Sequence, residues 1–437
     1  MTLLLRGGRI IDPSQNLDAQ MDLLIERGKI TKIGKNIHGP NNTSRKPAPG
    51  EISILDLKGK VVVPGLVDMH THLREPGFEY RETIQTGSVA AAAGGFTSIA
   101  CMPNTNPVND TRSVTEYIKR KAAACNLVNV YPIASISMGS GGTIMTEFRD
   151  LKDAGAVAFS DDGRPVTDSA LMRSALEYAS SLDVPIISHC EDTYLSAGGS
   201  MNEGFVSTEL GLQGIPNIAE DTIVARDIII ADYTGTTLHI AHVSTLGAVR
   251  LIRDAKERGI KVTAETAPHY FILTDEALRE FDTCAKVNPP LRTIKDVTAI
   301  REGLNDGTID AIASDHAPHA LTDKEVEFEF AAFGITGLET SFALGLRLVD
   351  DSIITLNQLL LKMSTNPARI LNIPKGTLKI GADADITIID LDKHWSVDRN
   401  GLRSKGKNTP FDGWNMKGKA IMTIMGGEIK YQEPTTS

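Results

Sequence analysis

Residues 61–77 have the sequence VVVPGLVDMHTHLREPG, in which an apolar run leads into two histidines. The apolar residues 61–67 are typical of a buried strand. Residues two apart on a strand face the same way, so His70 and His72 point together and Arg74 can follow them where the strand ends. Two neighbouring imidazoles suit zinc or a similar metal, and an arginine beyond them suits a carboxylate or phosphate. The stretch therefore predicts a strand that ends in a metal and anion site.

On its own, this histidine pair is explained equally well by two histidines that bind no metal. Arg74 could likewise form a surface ion pair with Glu75 or Glu79, a kind of contact that contributes little to stability. The interpretation as a functional site therefore depends on partner residues further along the chain.

The composition describes an ordinary globular chain of 437 residues, 41% hydrophobic and 23% charged, with a formal net charge of -10. Its length predicts one large domain with a smaller appendage. The negative charge argues against nucleic acid and anionic membranes as main partners, so an anion site must be local. The four cysteines form no Cys-x-x-Cys pair, and no apolar run approaches the ~20 residues of a membrane span. We therefore expect a cytoplasmic protein without a signal peptide.

The middle of the chain alternates between strand-like and helix-like segments. The strand candidates are residues 61–67, 97–102, 130–137, 156–160, 185–188, 237–241, 261–264 and 310–313. The clearest helix candidates are 81–93, 113–124, 169–181 and 246–257, with Ser169 and Asp183 as boundary residues and Gly259 as a C-terminal stop. Eight such units predict an α/β fold, a (β/α)8 TIM-type barrel with helices outside.

Both ends of the chain instead contain short strand candidates separated by Gly, Pro, Asn and Asp. In the C-terminal part these candidates are residues 384–391, 395–397, 420–425 and 428–431, with Gly426 and Gly427 as a hairpin turn. Residues 39–50 lack periodicity and are expected to form a surface loop. We predict one small β-sandwich domain built from residues 1–54 and 374–437, beside a barrel of residues 55–373.

Polar residues recur where the predicted barrel strands end. Beyond those of the first strand, the polar residues that follow later strands are Asn104, Asp161, Asp162, His189, His242, Asp315, His316 and His319. Barrel enzymes carry their active sites at the C-terminal rim of the strands, so these side chains are expected to converge.

Several of these residues also have a structural explanation. Asp161-Asp162-Gly163 is a turn signal in its own right. His239 and His242 cannot share a strand face at odd spacing, so one of them is structural; we favour His242 as the ligand because it lies at the strand's end. Packing or hydrogen bonding is expected for His269 and His316, and a surface position for His38 and His394.

Six motifs between residues 67 and 319 give the chain a specific resemblance; they are HTHLREPG, MPNT, SDDG, SHCE, HIAHVS and SDHAPH. Together they resemble the dihydroorotase family, in the cyclic-amidohydrolase group of the amidohydrolase superfamily. The resemblance implies that one metal is bound by His70 and His72 and a second by His189 and His242, with Asp162 between them and Asp315 as both a ligand and the catalytic residue. It also implies substrate contacts from His72, Arg74, Asn104, Asn288, His319, Phe333 and Gly334.

The reaction that the resemblance implies is the reversible cyclisation of N-carbamoyl-L-aspartate to L-dihydroorotate and water, in de novo pyrimidine biosynthesis. It implies two zinc ions per subunit, or other divalent metals, that ionise a water and polarise the amide carbonyl. Asp315 would then carry a proton from that water to the departing nitrogen. Residues 321–333 follow the last motif without clear periodicity and are a candidate lid.

One departure narrows the resemblance. Dihydropyrimidinase, hydantoinase and allantoinase bridge their metals with a carboxylated lysine, whereas the fourth strand here offers Asp162 and no lysine. The chain therefore resembles the class of dihydroorotases in which an aspartate bridges the metals. The alternatives are another cyclic amidohydrolase, or a non-catalytic partner of aspartate transcarbamoylase, in which the metal ligands would be free to decay. A homodimer, and a complex of the active enzyme with aspartate transcarbamoylase, are left open.

Overall fold

The computed structural model describes residues 2–37 and 52–434. The expected surface loop at residues 39–50, and His38, lie outside the described residues. The strands are β1 (Thr2–Asp12), β2 (Leu17–Glu26), β3 (Lys29–Gly34), β4 (Ile52–Asp56), β5 (Val61–Pro64), β6 (Leu66–Thr71), β7 (Phe96–Cys101), β8 (Asn129–Ala134), β9 (Ala158–Phe159), β10 (Ile186–Ser188), β11 (Met201–Asn202), β12 (Gly214–Ile215), β13 (Leu238–Ile240), β14 (Val262–Thr266), β15 (Ala311–Ile312), β16 (Ile386–Ser396), β17 (Asn415–Met425) and β18 (Glu428–Gln432).

The α-helices follow the strands along the chain. They are α1 (Ile84–Gly94), α2 (Arg112–Cys125), α3 (Phe148–Ala154), α4 (Ser169–Ser181), α5 (Phe205–Leu210), α6 (Ile218–Thr234), α7 (Leu246–Glu257), α8 (Pro268–Ile272), α9 (Ile294–Asp306), α10 (Leu321–Lys324), α11 (Ser341–Asp350), α12 (Leu356–Leu360) and α13 (Asn366–Ile370), with a π-helix at Leu361–Thr365 between the last two. The predicted bounds of α4 and α7 are confirmed. The first helix begins three residues later than predicted, because Thr83 caps it by accepting a hydrogen bond from the Thr86 amide.

A parallel sheet forms the predicted barrel, with the strand order β6-β7-β8-β9-β10-β13-β14-β15. The ring closes where Thr71 bridges to His316 in parallel and the His72 amide donates to the His316 carbonyl at 2.8 Å. The prediction of a (β/α)8 barrel is therefore confirmed. Several strands are shorter than predicted: the fourth is only β9 and the eighth only β15, so their polar residues lie on the loops beyond.

The interior of the barrel is filled by small and medium apolar side chains, as in other barrels of this kind. One buried cluster takes one residue from each of six strands, and these are Met69, Ala100, Ile133, Ala158, Ile187 and Ala311. A larger cluster joins the outer strand faces to the surrounding helices. The barrel is thus packed beneath its rim, which leaves the C-terminal ends of the strands as the place for a cavity.

The two ends of the chain meet in one sheet with the strand order β18-β17-β16-β5-β1-β2-β3, and β4 also pairs with β1. The prediction that both ends form a common β unit is confirmed, although its strands pair into a single sheet. The hairpin at Gly426 and Gly427 is also confirmed, since β17 and β18 are antiparallel neighbours. The two strands expected at 384–391 and 395–397 are one strand, β16, with an irregularity between Asp390 and His394.

The single strand predicted at residues 61–67 is wrong, because this apolar run contributes to two sheets. Residues Val61–Pro64 form β5 and pair with β16 in the terminal sheet, whereas β6 begins at Leu66 and pairs with β7 in the barrel. The change of sheet occurs at Gly65, where a Cβ atom would collide with the Thr97 side chain. An apolar run carries no sign of such a switch, because both halves are buried.

The domain bounds of 1–54, 55–373 and 374–437 stay a prediction. The pairing of β4 and β5 with β1 continues the terminal sheet past residue 54. Across residues 2–37 and 52–434, no helix combines the length and apolar character needed to cross a membrane.

Candidate active site

The six predicted metal ligands lie together at the C-terminal rim of the barrel, and five of them form two groups around one carboxylate. The first group contains His70, His72 and Asp162. The Nε2 atoms of His70 and His72 lie 3.4 Å and 3.5 Å from the two Asp162 oxygens. All three side chains are buried. The spacing of two residues therefore places both imidazoles against the same aspartate, which comes from the loop after β9.

The second group contains Asp162 again, with His189 and His242. His189 Nδ1 and His242 Nε2 lie 3.5 Å and 3.4 Å from Asp162 Oδ1, and 2.8 Å from each other. Asp162 therefore stands between two pairs of histidines and belongs to both candidate groups.

Asp315 lies beside the first group, on the loop that follows the last barrel strand, β15. Its Oδ1 is 3.2 Å from His72 Nε2 and 3.6 Å from His70 Nε2. Burial opposes ionisation here, but the contacts with His72 and His70 outweigh it and lower the pKa of Asp315 below its ordinary value. The side chain is thus a carboxylate at neutral pH.

The donor atoms of these groups fit a divalent metal. Imidazole nitrogens and carboxylate oxygens are ligands that zinc and similar ions prefer. His70 Nε2 and Asp162 Oδ1 are buried and have no hydrogen-bond partner among the described residues. Buried polar atoms of this kind are costly unless something binds them. The two groups are therefore a site for divalent metal.

A second layer of residues fixes the orientation of His70. Its Nδ1 lies 2.7 Å from Oε1 of Glu265, and Oε2 of the same carboxylate lies 3.5 Å from His239 Nε2. Burial raises the pKa of Glu265, but its contacts with His239 and His70 lower it to about 2. The carboxylate thus favours a proton on His70 Nδ1 and directs Nε2 toward Asp162, and a second-layer carboxylate of this kind commonly supports metal-binding histidines.

Glu265 is not among the predicted site residues. It lies within β14 and is 1% exposed, and a charge buried in this way requires a partner. The choice between His239 and His242 agrees with the placement of the two residues. His239 lies within β13 and contacts Thr263 Oγ1 at 2.8 Å, whereas His242 lies beyond the strand's end in the second group.

The turn Asp161-Asp162-Gly163 has both a structural and a site residue. Asp161 accepts hydrogen bonds from the hydroxyls of Ser135 and Ser137 and from the Ser137 amide. These bonds connect the fourth strand's loop to the third. The neighbouring Asp162 is thereby aimed at the histidines.

Arg74 lines the same cavity as the metal groups. The cavity has a volume of about 190 Å3 and is lined by His72, Arg74, Asn104, Asp162, Gly163, His189, His242, Val287, Asn288, Asp315, Ala317, Phe333 and Gly334. The alternative that Arg74 pairs with Glu75 or Glu79 is wrong. Glu75 binds Lys121 at 3.0 Å, and Glu79 accepts a hydrogen bond from the Gly77 amide. Burial lowers the pKa of Arg74 to about 10, so the guanidinium keeps its charge at neutral pH.

Among the remaining residues predicted to contact the substrate, Asn104 and Asn288 line the cavity. Asn104 Oδ1 lies 2.9 Å from His72 Nδ1, and Asn288 Nδ2 donates to the Glu191 carboxylate. His319 is not among the cavity-lining residues of the described chain. Its Nε2 lies 3.3 Å from Arg74 Nη2 and 2.8 Å from the Phe333 carbonyl. It thus lies behind Arg74, and its direct contact with substrate stays a prediction.

Three site residues have a left-handed backbone conformation that residues other than glycine rarely adopt. The φ angles are +60° at Arg74, +32° at His242 and +46° at Asp315. Each costs free energy, on the order of 1–3 kcal/mol, that the surrounding fold must supply. These residues are therefore held in place by their neighbours.

The histidines expected to be structural have the positions predicted for them. His316 Nδ1 accepts the Gly337 amide at 3.2 Å, and His269 is buried with its ring against Tyr270. His394 is exposed in β16. These residues contribute to packing and surface, whereas the site is built from the others.

Two family models match the chain. One is described as dihydro-orotase-like and matches residues 59–247, and the other is described as amidohydrolase family and matches residues 224–431. The chain is 65% identical to the dihydroorotase of Syntrophus aciditrophicus, over 99% of this chain and 100% of that protein. It is 56% identical to the dihydroorotase of Geobacter metallireducens over the same shares of the two chains.

Solved structures of a hydantoinase and a dihydropyrimidinase have the same fold. The L-hydantoinase (dihydropyrimidinase) of Arthrobacter aurescens superimposes with a TM-score of 0.85 at 27% identity, covering 99% of this chain and 96% of that one. The dihydropyrimidinase of Brevibacillus agri gives the same TM-score at 24% identity, covering 99% and 95%. The full-length identity to the two dihydroorotases is more than twice as high. The chain belongs to the dihydroorotase family of the amidohydrolases.

Proposed function

We propose that this chain catalyses the reversible cyclisation of N-carbamoyl-L-aspartate to L-dihydroorotate and water, a step of de novo pyrimidine biosynthesis. The observation that carries the proposal is Arg74, which lines one cavity together with His72, Asp162 and Asp315. The dihydroorotate ring bears a carboxylate, and a guanidinium can bind it with two parallel hydrogen bonds. Full-length identity of 65% to a protein named dihydroorotase supports the same conclusion.

We further propose that two ions, zinc or another divalent metal, bind per subunit. The supporting geometry is that Asp162 belongs to both candidate groups, with two histidines on each side. When bound, the ions would polarise the scissile carbonyl and make a water acidic enough to attack it. Elemental analysis should find about two ions per chain. Fully active enzyme with one ion or none would contradict this proposal.

Asp315 is proposed to move the proton. Its carboxylate is ionised, buried and 3.2 Å from His72 Nε2, so it lies at the candidate metal site. In ring opening it accepts the proton of the attacking water and delivers it to the ring nitrogen as the amide bond breaks. In ring closure the same carboxylate takes the proton from the attacking nitrogen as the C–N bond forms, and returns it to the oxygen that leaves the carboxyl carbon as water.

Arg74 is proposed to hold the substrate carboxylate, with Asn104 and His319 completing the clamp. The same cavity is also lined by Asn288, Phe333 and Gly334. Fixing the ring in this way aligns its carbonyl with the attacking water and removes the entropic cost of finding that orientation.

The alternative function is hydrolysis of another cyclic amide, which the likeness to the L-hydantoinase favours. Hydantoin, dihydrouracil and allantoin lack the ring carboxylate that would use Arg74. No lysine is found among the described residues that line the cavity. The test is a ring-opening assay on dihydroorotate, with the three other rings as controls. Turnover of one of these rings without turnover of dihydroorotate would overturn the proposed function.

A homodimer and a complex with aspartate transcarbamoylase stay proposals, as does closure of residues 321–333 as a lid. This segment is held by two buried lysine side chains: Lys324 Nζ donates to the Thr283 and Ala332 carbonyls, and Lys286 Nζ donates to the Phe328 and Glu329 carbonyls. Light scattering with and without aspartate transcarbamoylase tests both assemblies.

A further inference from the structure

A segment from the C-terminal part of the chain, residues 404–408, lies against the rim of the barrel. Ser404 Oγ and the Lys405 amide donate to the buried carboxylate of Glu82, just before α1. At Gly406 a Cβ atom would lie 2.6 Å from Pro318 Cβ and 2.9 Å from the His319 amide nitrogen. Only glycine permits this approach. The segment is therefore in direct contact with the loop that follows Asp315.

At the end of this segment, the side chain of Asn408 connects two loops of the barrel. Its Oδ1 accepts the His319 amide at 2.8 Å, and its Nδ2 donates to the carbonyls of Ala317 and Gly334, both at 3.0 Å. The residue is 3% exposed. Because its partners are one backbone N–H and two carbonyls, only one orientation of the Asn408 amide satisfies all three hydrogen bonds.

The two connected loops are the ones that bring backbone to the cavity beside Arg74. Ala317, Phe333 and Gly334 all line that cavity. At Gly334, where φ is +145°, a Cβ atom would lie 2.7 Å from the Ala317 carbonyl oxygen. The loops are thus in contact with each other, and a shift of one changes the cavity wall.

We propose that Asn408 is a positioning residue that sets the placement of the two loops around the substrate carboxylate. The inference rests on the proposed function, in which Arg74 binds that carboxylate. Asn408 does not touch the substrate; it acts through the backbone of Ala317, His319 and Gly334. Its side chain supplies an acceptor and two donors at once, which a carboxylate or a methyl group cannot do.

The size of the effect follows from the precision that the site requires. A reacting group misplaced by about 1 Å can lose ~10²-fold in rate. In Asn408→Asp the carboxylate still accepts the His319 amide but turns an oxygen toward two carbonyls, which repel it. We expect kcat/KM to fall by about 10–100-fold, largely through a higher KM.

The experiment compares Asn408→Asp and Asn408→Ala with Asn400→Asp, a matched control at an exposed asparagine of the same C-terminal part. Full chains loaded with metal are assayed for kcat and KM on dihydroorotate, and also on dihydrouracil, hydantoin and allantoin. Metal content, melting temperature and hydrogen exchange of residues 315–336 are measured on the same samples. We expect faster exchange in this stretch and a higher KM in both Asn408 variants, with metal content as in the wild type.

Two results overturn the inference. One is that the Asn408 variants match Asn400→Asp in kcat/KM and in exchange. The other is that they lose kcat only in proportion to lost metal or folded protein, with KM unchanged, which is the signature of general structural damage. If the wild type opens only another ring, the proposed function fails instead, and the Asn408 variants are then judged on that ring.

Discussion

Glu265 offers the sharpest test of how the barrel prepares its metal site. The carboxylate is 1% exposed and lies 2.7 Å from His70 Nδ1, on the side away from the candidate metal. We predict that Glu265→Leu removes this support while leaving every candidate ligand in place. The imidazole of His70 can then rotate, and its Nε2 is no longer held toward Asp162.

The expected magnitude follows from that one contact. Loss of such a partner costs about 10–100-fold in metal affinity, which equals about 1.4–2.7 kcal/mol. Glu265→Gln keeps an oxygen that can accept from His70 Nδ1 but removes the charge. Because charge-assisted hydrogen bonds are about twice as strong as neutral ones, we expect it to lose about half of that free energy, or ~5-fold in affinity.

The assay is a competition titration with a coloured chelator, which follows the release of each ion. The first group contains His70 and the second does not. One ion should therefore leave more readily in the Glu265 variants, while the other keeps its wild-type affinity. Asp296→Asn is the matched control, because this buried carboxylate contacts Thr293 and Asn217 instead of a candidate ligand.

The melting temperature of the metal-free variants separates a local effect from unfolding. If Glu265→Leu binds both ions as tightly as the wild type, Glu265 does not orient His70 and the reasoning is refuted. Equal weakening of both ions would also refute it, since the support would then extend to the whole site.

Three further predictions address the chemistry. Asp315→Asn should lose at least ~10² in kcat, because the amide cannot take a proton; near-normal turnover in a stopped assay would assign the transfer to another group. Arg74→Lys should lower kcat/KM on dihydroorotate by about 10–100-fold at unchanged metal content, since a point charge replaces the planar fork. The control is Arg120→Lys, at an exposed arginine. Equal kinetics in the two variants would contradict the proposal that Arg74 binds the substrate carboxylate. Ring closure consumes a proton, so the equilibrium ratio of dihydroorotate to carbamoyl aspartate should fall ~10-fold per pH unit above the carboxyl pKa; a ratio that is flat with pH would exclude this reaction.

The positions of the candidate ligands could be predicted because each follows a barrel strand. His70 and His72 share one strand face, and Asp162, His189 and His242 each come after a later strand. In a parallel barrel all strand ends meet at one rim, so sequence order translates directly into spatial proximity. The convergence required only that the strands be recognised, even where their predicted lengths were wrong.

Residues that act across the fold could not be found in this way. Glu265 supports His70 from 195 positions further along the chain, and Asn408 reaches the rim from a part of the chain that follows the barrel. The switch between sheets at Gly65 is equally invisible, because the collision it avoids involves the distant Thr97. Local periodicity reports which residues are buried, whereas these contacts depend on which buried elements meet.

The second layer also decides which nitrogen each imidazole presents. Three of the four histidines have one ring nitrogen in contact with another side chain; the pairs are His70 Nδ1 with Glu265, His72 Nδ1 with Asn104 and His189 Nε2 with Glu191, which is only two residues away. The nitrogen left over differs between them: it is Nε2 in His70 and His72 but Nδ1 in His189. Residue spacing alone does not settle this choice, since it depends on where the partner side chain lies.

All of the nitrogens left over by these contacts face the same carboxylate. His70 Nε2, His72 Nε2 and His189 Nδ1 lie 3.4–3.5 Å from an oxygen of Asp162, and so does His242 Nε2. The fold thus fixes the direction of these ring nitrogens before any ion arrives, and binding need not bear the cost of ordering them. For that reason, we expect the metal affinity of this site to depend on residues such as Glu265 that never touch the metal.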